Sequence, residues 1–419
     1  MRPNRRMRSI RRWNAAGLLA VLIAILLGAG SFSPQLLWVD PVPASVPPAS
    51  LYQARDSVRW TSDPDPASQA CLKQFMWRAQ TFEVEVSSDV SGQIPGVPEA
   101  YPGPACHALV RFLSPKARAH VPRDTVVLEW YAAKDSDGRI EDAPALIMVP
   151  ESQPQMAISR MMAPQLAGRG IQVFLMQPPG YCLRREQGGF LDGKEFFSRI
   201  VQAVADARRA RDAVAVLPHV QAGNISLLGT SIGGFAAELA AGLDHGFQHV
   251  FILLAGGHLY QILMGPGREP TLAREALERA GYGGSKLRQL AGAVEPLLLA
   301  HRVDPKSTWL YSARSDPIVP LKDARAWALA AHLPASHHLI VPGTHYTAIL
   351  YFPTLMTRIT DVILGETHED DPQRPATAKH GAPACTSAAL SPLAPAATDS
   401  HSGPSTDGMG SGGTTPSLH

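Results

Sequence analysis

Apolar and β-branched runs, each bounded by turn residues, recur through the middle of the chain at spacings that leave room for helices between them. The pattern predicts strands at 81–86, 108–113, 124–132, 145–149, 171–176, 224–228, 249–254, 308–312 and 337–341. The earliest of these follow one another closely, which suits antiparallel pairing. Helical periodicity fills the later gaps, at 156–168, 190–216 and 232–243, across a longer stretch at 271–300, and then at 321–332 and 352–363. Strands alternating with helices require right-handed crossovers and a mostly parallel sheet covered on both faces, which is an α/β fold.

The pattern fails at both ends of the chain. Six arginines (Arg2, Arg5, Arg6, Arg8, Arg11, Arg12) precede an apolar run from Ala15 to Gly28 that weakens through Ser31, Ser33 and Pro34 before Leu36, Leu37 and Trp38. This layout predicts an export signal, either cleaved near the small residues at 28–31 or retained as a membrane anchor. In both cases the arginines stay in the cytoplasm and the rest of the chain lies beyond the membrane, secreted, periplasmic or anchored there. Residues 39–69 are rich in Pro, Ser, Ala and Asp and are expected to be an extended linker. Residues 366–419 have too few large apolar side chains to bury and are expected to be a disordered tail. The folded domain is thus placed at 70–365.

Composition narrows the functions. With 45% hydrophobic and 18% charged residues and a net charge of +2, the chain carries neither the signature of wholesale disorder nor the basic footprint of a nucleic-acid binder. Four cysteines (Cys71, Cys106, Cys182, Cys385) include no CxxC pair with which to build a zinc site. Export would permit one bridge, such as Cys71 to Cys106, and spacing alone leaves that pairing open. The oligomeric state is also open.

Chemistry enters at Asn224-Ile-Ser-Leu-Leu-Gly229-Thr230-Ser231-Ile232-Gly233-Gly234, which reads as strand, sharp turn and helix. Gly229-x-Ser231-x-Gly233 is the pattern of a nucleophile elbow, in which a strained turn projects the serine hydroxyl and glycines relieve the crowding around it. Ser231 then lies at a helix N-terminus, where the N–H of Ile232 is free to hold an oxyanion. A serine needs a base, and the base needs a carboxylate to hold its tautomer. Two later strand ends supply them: Asp316, in Ala313-Arg-Ser-Asp316-Pro-Ile-Val-Pro, and His345, in Gly343-Thr-His345-Tyr. His337 and His338 lie at the start of their strand, away from the active edge. Cys182, in the Pro178-Pro-Gly-Tyr-Cys182 loop, reads as a small packing residue.

On these three motifs, in this order at strand ends, the region from about 105 to 365 resembles the α/β-hydrolase superfamily. The resemblance implies Ser231 as nucleophile, Asp316 as acid and His345 as base, with no cofactor and no metal. It also implies a small helical cap inserted at about 257–304. The sequence departs from the family after strand 145–149, where His-Gly is replaced by Pro150-Glu151-Ser152-Gln153. Pro150 has no N–H, so the second oxyanion donor falls to Ser152 or Gln153. The expected function is a serine esterase acting on a small-molecule or lipid-like carboxylic ester. A peptidase, lipase, thioesterase or acyltransferase would use the same triad, and a non-catalytic, membrane-anchored binding protein is the rival from another class.

Overall fold

The computed structural model describes residues 49–88, 106–118, 122–153, 155–185 and 193–365. The N-terminal signal or anchor at 1–38 and the tail at 366–419 lie outside the described residues, as does Cys385. The centre is one ten-stranded sheet in the order β1-β2-β3-β4-β6-β5-β7-β8-β9-β10. Its strands are β1 (Ser50–Arg55), β2 (Thr81–Ser87), β3 (Ala108–Leu113), β4 (Thr125–Tyr131), β5 (Ala143–Val149), β6 (Gln172–Met176), β7 (Val220–Thr230), β8 (Val250–Leu253), β9 (Thr308–Ala313) and β10 (His338–Val341). The pairings from β1 to β4, and of β4 with β6, are antiparallel, and every pairing from β6 through β10 is parallel.

Both faces of the sheet are covered. On one face lie α1 (Pro66–Phe75), α3 (Gly193–Val214), α4 (Ile232–Asp244) and α9 (Leu321–Ala330), which pack on outward residues such as Val84, Ile147, Leu227 and Ile252. On the other lie α2 (Ala157–Ala167) and α10 (Phe352–Leu364), over Leu146, Met148, Val173 and Phe251. Burial on both sides explains why 145–149 and 249–254 read as unbroken apolar runs and not as alternating ones. The stretch Thr347–Leu364 is long and apolar enough to cross a membrane. Here its apolar stripe (Phe352, Leu355, Met356, Ile359, Ile363) is buried against the sheet.

Two expectations need correction, and one open question is answered. The span 39–69, read as linker, contains β1 and the start of α1. β1 is an edge strand whose Leu51 is exposed, while Ala54 is buried and Tyr52 half-buried; it pairs with β2 along its whole length, a backbone contact that composition does not reveal. The helical stretch expected across 271–300 is divided into α6 (Arg268–Arg279), α7 (Gly284–Gly292) and α8 (Leu297–Ala300), after a short α5 (Leu259–Leu263). Positive φ at Gly281 and Gly284 ends one helix and begins the next, and Pro296 starts the last. Finally, Cys71 and Cys106 are free thiols, because Cys71 sits in the core of one sheet face and Cys106 packs against the other.

The segment between β8 and β9 is closed at its base by one carboxylate. Glu295 accepts the N–H of His258 (2.8 Å) and of Leu259 (2.7 Å), so the last residues before α8 hold the first turn of α5. His258 Nδ1 also meets Asp323 Oδ1 of α9 at 2.9 Å.

Candidate active site

The turn from β7 to α4 places Ser231 at φ 55° and ψ −118°, a strained backbone for a residue with a side chain. The strain is held from both sides: Ser231 N–H donates to Leu253 O (2.8 Å), and its carbonyl accepts from Gly234 N–H (2.8 Å) and Phe235 N–H (3.1 Å). The flanking glycines are a steric need. A Cβ on Gly229 would strike the Gly233 carbonyl oxygen, and one on Gly233 would strike the carbonyl oxygens of Val149 and Pro150. The turn and the loop after β5 are therefore packed backbone to backbone.

Three of the residues singled out in the sequence meet here. His345 Nε2 lies 3.1 Å from Ser231 Oγ, and His345 Nδ1 lies 2.7 Å from Asp316 Oδ2. The Asp316 side chain is almost wholly buried, and its Oδ1 accepts the N–H groups of Ile318 (2.8 Å) and Val319 (3.0 Å). An acceptor-only carboxylate held in this way fixes the His345 proton on Nδ1 and leaves Nε2 to accept from the serine. The loops bearing the two residues are joined, with Arg314 N–H on Val341 O and Ser315 N–H on Gly343 O, each at 2.9 Å.

In the loop after β5, a Glu151 carboxylate aimed at Ser231 would oppose an oxyanion. The carboxylate does not face Ser231; it turns to the start of α2, where Oε1 accepts Ile158 N–H (2.9 Å) and Oε2 accepts Ser159 Oγ–H (2.6 Å). A negative charge at a helix N-terminus is favourable, so a residue that would oppose an oxyanion instead anchors the loop. Ser152 and Gln153 are exposed; the Ser152 carbonyl accepts from the Tyr181 hydroxyl (2.9 Å) and the Gln153 carbonyl from Met156 N–H (2.9 Å). Across a trans peptide, the Gln153 N–H points away from Tyr181. The N–H groups of Ser152, Ile232 and Gly233 have no acceptor among the described residues.

Behind this loop lies a polar network that the sequence reading missed. Glu129 of β4 is fully buried and takes Arg160 of α2 in a bidentate pair (2.5 and 3.0 Å), with Gln177 Nε2 (2.9 Å) and the Tyr131 hydroxyl (3.0 Å) on the same carboxylate. The one available signal was the charge of Glu129 between the apolar residues Leu128 and Trp130 of the predicted strand 124–132. Cys182 accepts from Arg160 Nη2 at 3.7 Å, and burial raises its thiol pKa, so it is a packed thiol and not a nucleophile. Among the described residues, no group of three or more His, Cys, Asp or Glu is arranged to hold a metal ion.

The fold is that of the α/β hydrolases. Over 73% of this chain and 96% of the other, it is similar to an acetyl xylan esterase from Paenibacillus sp. R4, with a TM-score of 0.51 and 16% identity. An α/β hydrolase, GrgF, from Penicillium sp. sh18 aligns over 61% of this chain and 96% of its own, with a TM-score of 0.44 and 19% identity. An acylaminoacyl peptidase from Pyrococcus horikoshii aligns over 63% and 42%, with a TM-score of 0.43 and 16% identity. No protein-family model and no curated protein sequence matches the chain.

Proposed function

We propose that the protein is a serine hydrolase that cleaves carboxylic esters through an acyl-enzyme. The observation that carries this reading is the continuous relay Ser231 Oγ, His345 Nε2, His345 Nδ1 and Asp316 Oδ2, at 3.1 and 2.7 Å, set on a strained turn. Ser231 Oγ attacks the acyl carbon as its proton passes to His345 Nε2. The Ile232 N–H and an N–H of the Glu151–Gln153 loop hold the oxyanion. Collapse expels the alcohol, which takes the proton from His345, and water then repeats the sequence to free the acid and Ser231. Asp316 keeps the imidazolium oriented throughout.

The test is labelling of the full chain with a fluorophosphonate, comparing wild type with Ser231→Ala. Labelling of wild type alone, together with hydrolysis of p-nitrophenyl acetate, supports the reading. A folded wild type that takes no label overturns it in favour of a binding protein. We also propose, from the arginine-flanked apolar run, that the domain works beyond the cytoplasmic membrane. Digestion of the domain by protease added to intact spheroplasts, or its recovery in the periplasmic fraction, supports that placement; protection within the cytosolic fraction overturns it.

A further inference from the structure

Beside the elbow lies a cavity of about 100 Å³ that the triad does not use. Pro150 and Ile232, Tyr181 and Ala236, and Ile200 and Ala203 of α3 are among the residues that line it. Its lining is almost entirely apolar. Its two charged lining residues are engaged elsewhere, Arg199 with Glu195 at 2.6 Å and the Glu151 carboxylate with the start of α2. Its lining includes Pro150 and Glu151 of the β5 loop and Ile232 and Gly233 of the elbow, residues that flank the backbone N–H groups proposed to hold the oxyanion.

On the serine-hydrolase reading given above, we propose that this cavity receives the acyl chain and restricts the substrate to short-chain esters, from acetyl to about butyryl. An apolar pocket lined by residues of the elbow and of the β5 loop suits the part of the substrate that stays on the enzyme, whereas the alcohol must leave before water can enter. A dry apolar cavity of roughly 150 Å³ takes up the six carbons of benzene, so one of about 100 Å³ holds about four. Ile200 and Ala203 are the lining positions at which to change its volume, since both are buried and belong to neither the elbow nor the triad.

The test uses the full chain and two series of esters. In the first, p-nitrophenyl esters run from acetyl through butyryl and hexanoyl to octanoyl; in the second, acetate is joined to alcohols of increasing length. Wild type is expected to lose about tenfold or more in kcat/KM between butyryl and hexanoyl and to tolerate long alcohols. Ala203→Leu, which fills part of the cavity, should depress butyryl about tenfold relative to acetyl, and Ile200→Ala should raise hexanoyl relative to butyryl by a similar factor. General destabilisation cannot produce opposite shifts in chain-length preference. Octanoyl turned over as well as acetyl, a cut-off on the alcohol series instead, or variants that scale all esters equally would overturn the assignment. Absence of fluorophosphonate labelling would overturn the serine-hydrolase reading itself, and this inference with it.

Discussion

At Asp316 the two carboxylate oxygens have different duties, and that division makes a sharp prediction. Oδ1 is held as an acceptor by two backbone N–H groups, so in Asp316→Asn the amide oxygen must take that place and the NH2 must face His345 Nδ1. The imidazole would then be forced to carry its proton on Nε2, facing Ser231, where it can no longer act as a base. Activity on p-nitrophenyl acetate is expected to fall by about 10⁴-fold, the scale seen when a triad aspartate is converted in this way, with little change in thermal stability. Gly229→Ala should do the reverse and damage the fold first, because its Cβ meets both the Gly233 carbonyl oxygen and, at 2.6 Å, the Ala237 Cβ. Calorimetry on the two variants separates a tautomer defect from a packing defect.

The elements show what could be read from the chain and what could not. Ser231, Asp316 and His345 were legible because each side chain follows a strand end whose apolar run is itself legible, and parallel strands deliver those ends to one edge. The division of 271–300 was not, since the residues of α6 to α8 keep a helical period through the glycines that break them. The β5 loop was half legible: the loss of His-Gly is visible, but the turn of Glu151 toward α2 depends on where that helix starts. Glu151→Ala should loosen the loop and lower kcat about tenfold or more with little change in KM, measured on a short ester. The helix after the elbow carries a different burden. Glu238 of α4 is fully buried, neither carboxylate oxygen has a partner among the described residues, and burial, with a smaller contribution from Glu295, raises its pKa well above the ordinary value. The unfolded chain releases that proton above about pH 4.5 while the folded chain keeps it, so this group weakens the fold as pH rises from there. Glu238→Leu is expected to be more stable than wild type at pH 8 by about 1–3 kcal/mol, and the gain should shrink toward pH 4.5 in urea unfolding curves.

At the scale of the whole molecule, the segment that composition assigned to a linker is fastened to the sheet by buried ion pairs on α3. Arg209 grips Asp56, just past β1, through Nε (2.9 Å) and Nη2 (2.6 Å), donates Nη1 to the Leu113 carbonyl at the end of β3 (3.0 Å), and lies over the Phe82 ring of β2. The adjacent Arg208 takes Asp244 of α4 in two bonds of 2.7 Å and meets Asp212, which in turn accepts the N–H (2.7 Å) and hydroxyl (2.6 Å) of Ser57. Arg184 and Ser114 share Asp206 in the same way. These charges explain how a long helix with Asp and Arg on its inner face packs in a core. Each charge is matched, and together they join the antiparallel strands at the N-terminus to the parallel part of the sheet. Coulomb attraction in such a pair is largely offset by desolvation, so the network specifies the docking of β1 more than it adds net stability. Asp56→Ala strands a buried guanidinium and should cost about 3–5 kcal/mol, whereas Asp56→Leu combined with Arg209→Met should recover much of that loss. A chain cut at residue 70 would lose β1, Asp56 and Ser57 together, leaving Arg209 and Asp212 without these partners and β2 as a raw edge. It should therefore unfold at lower urea than the full chain and aggregate more readily, and equal stability of the two would show that the strap is dispensable.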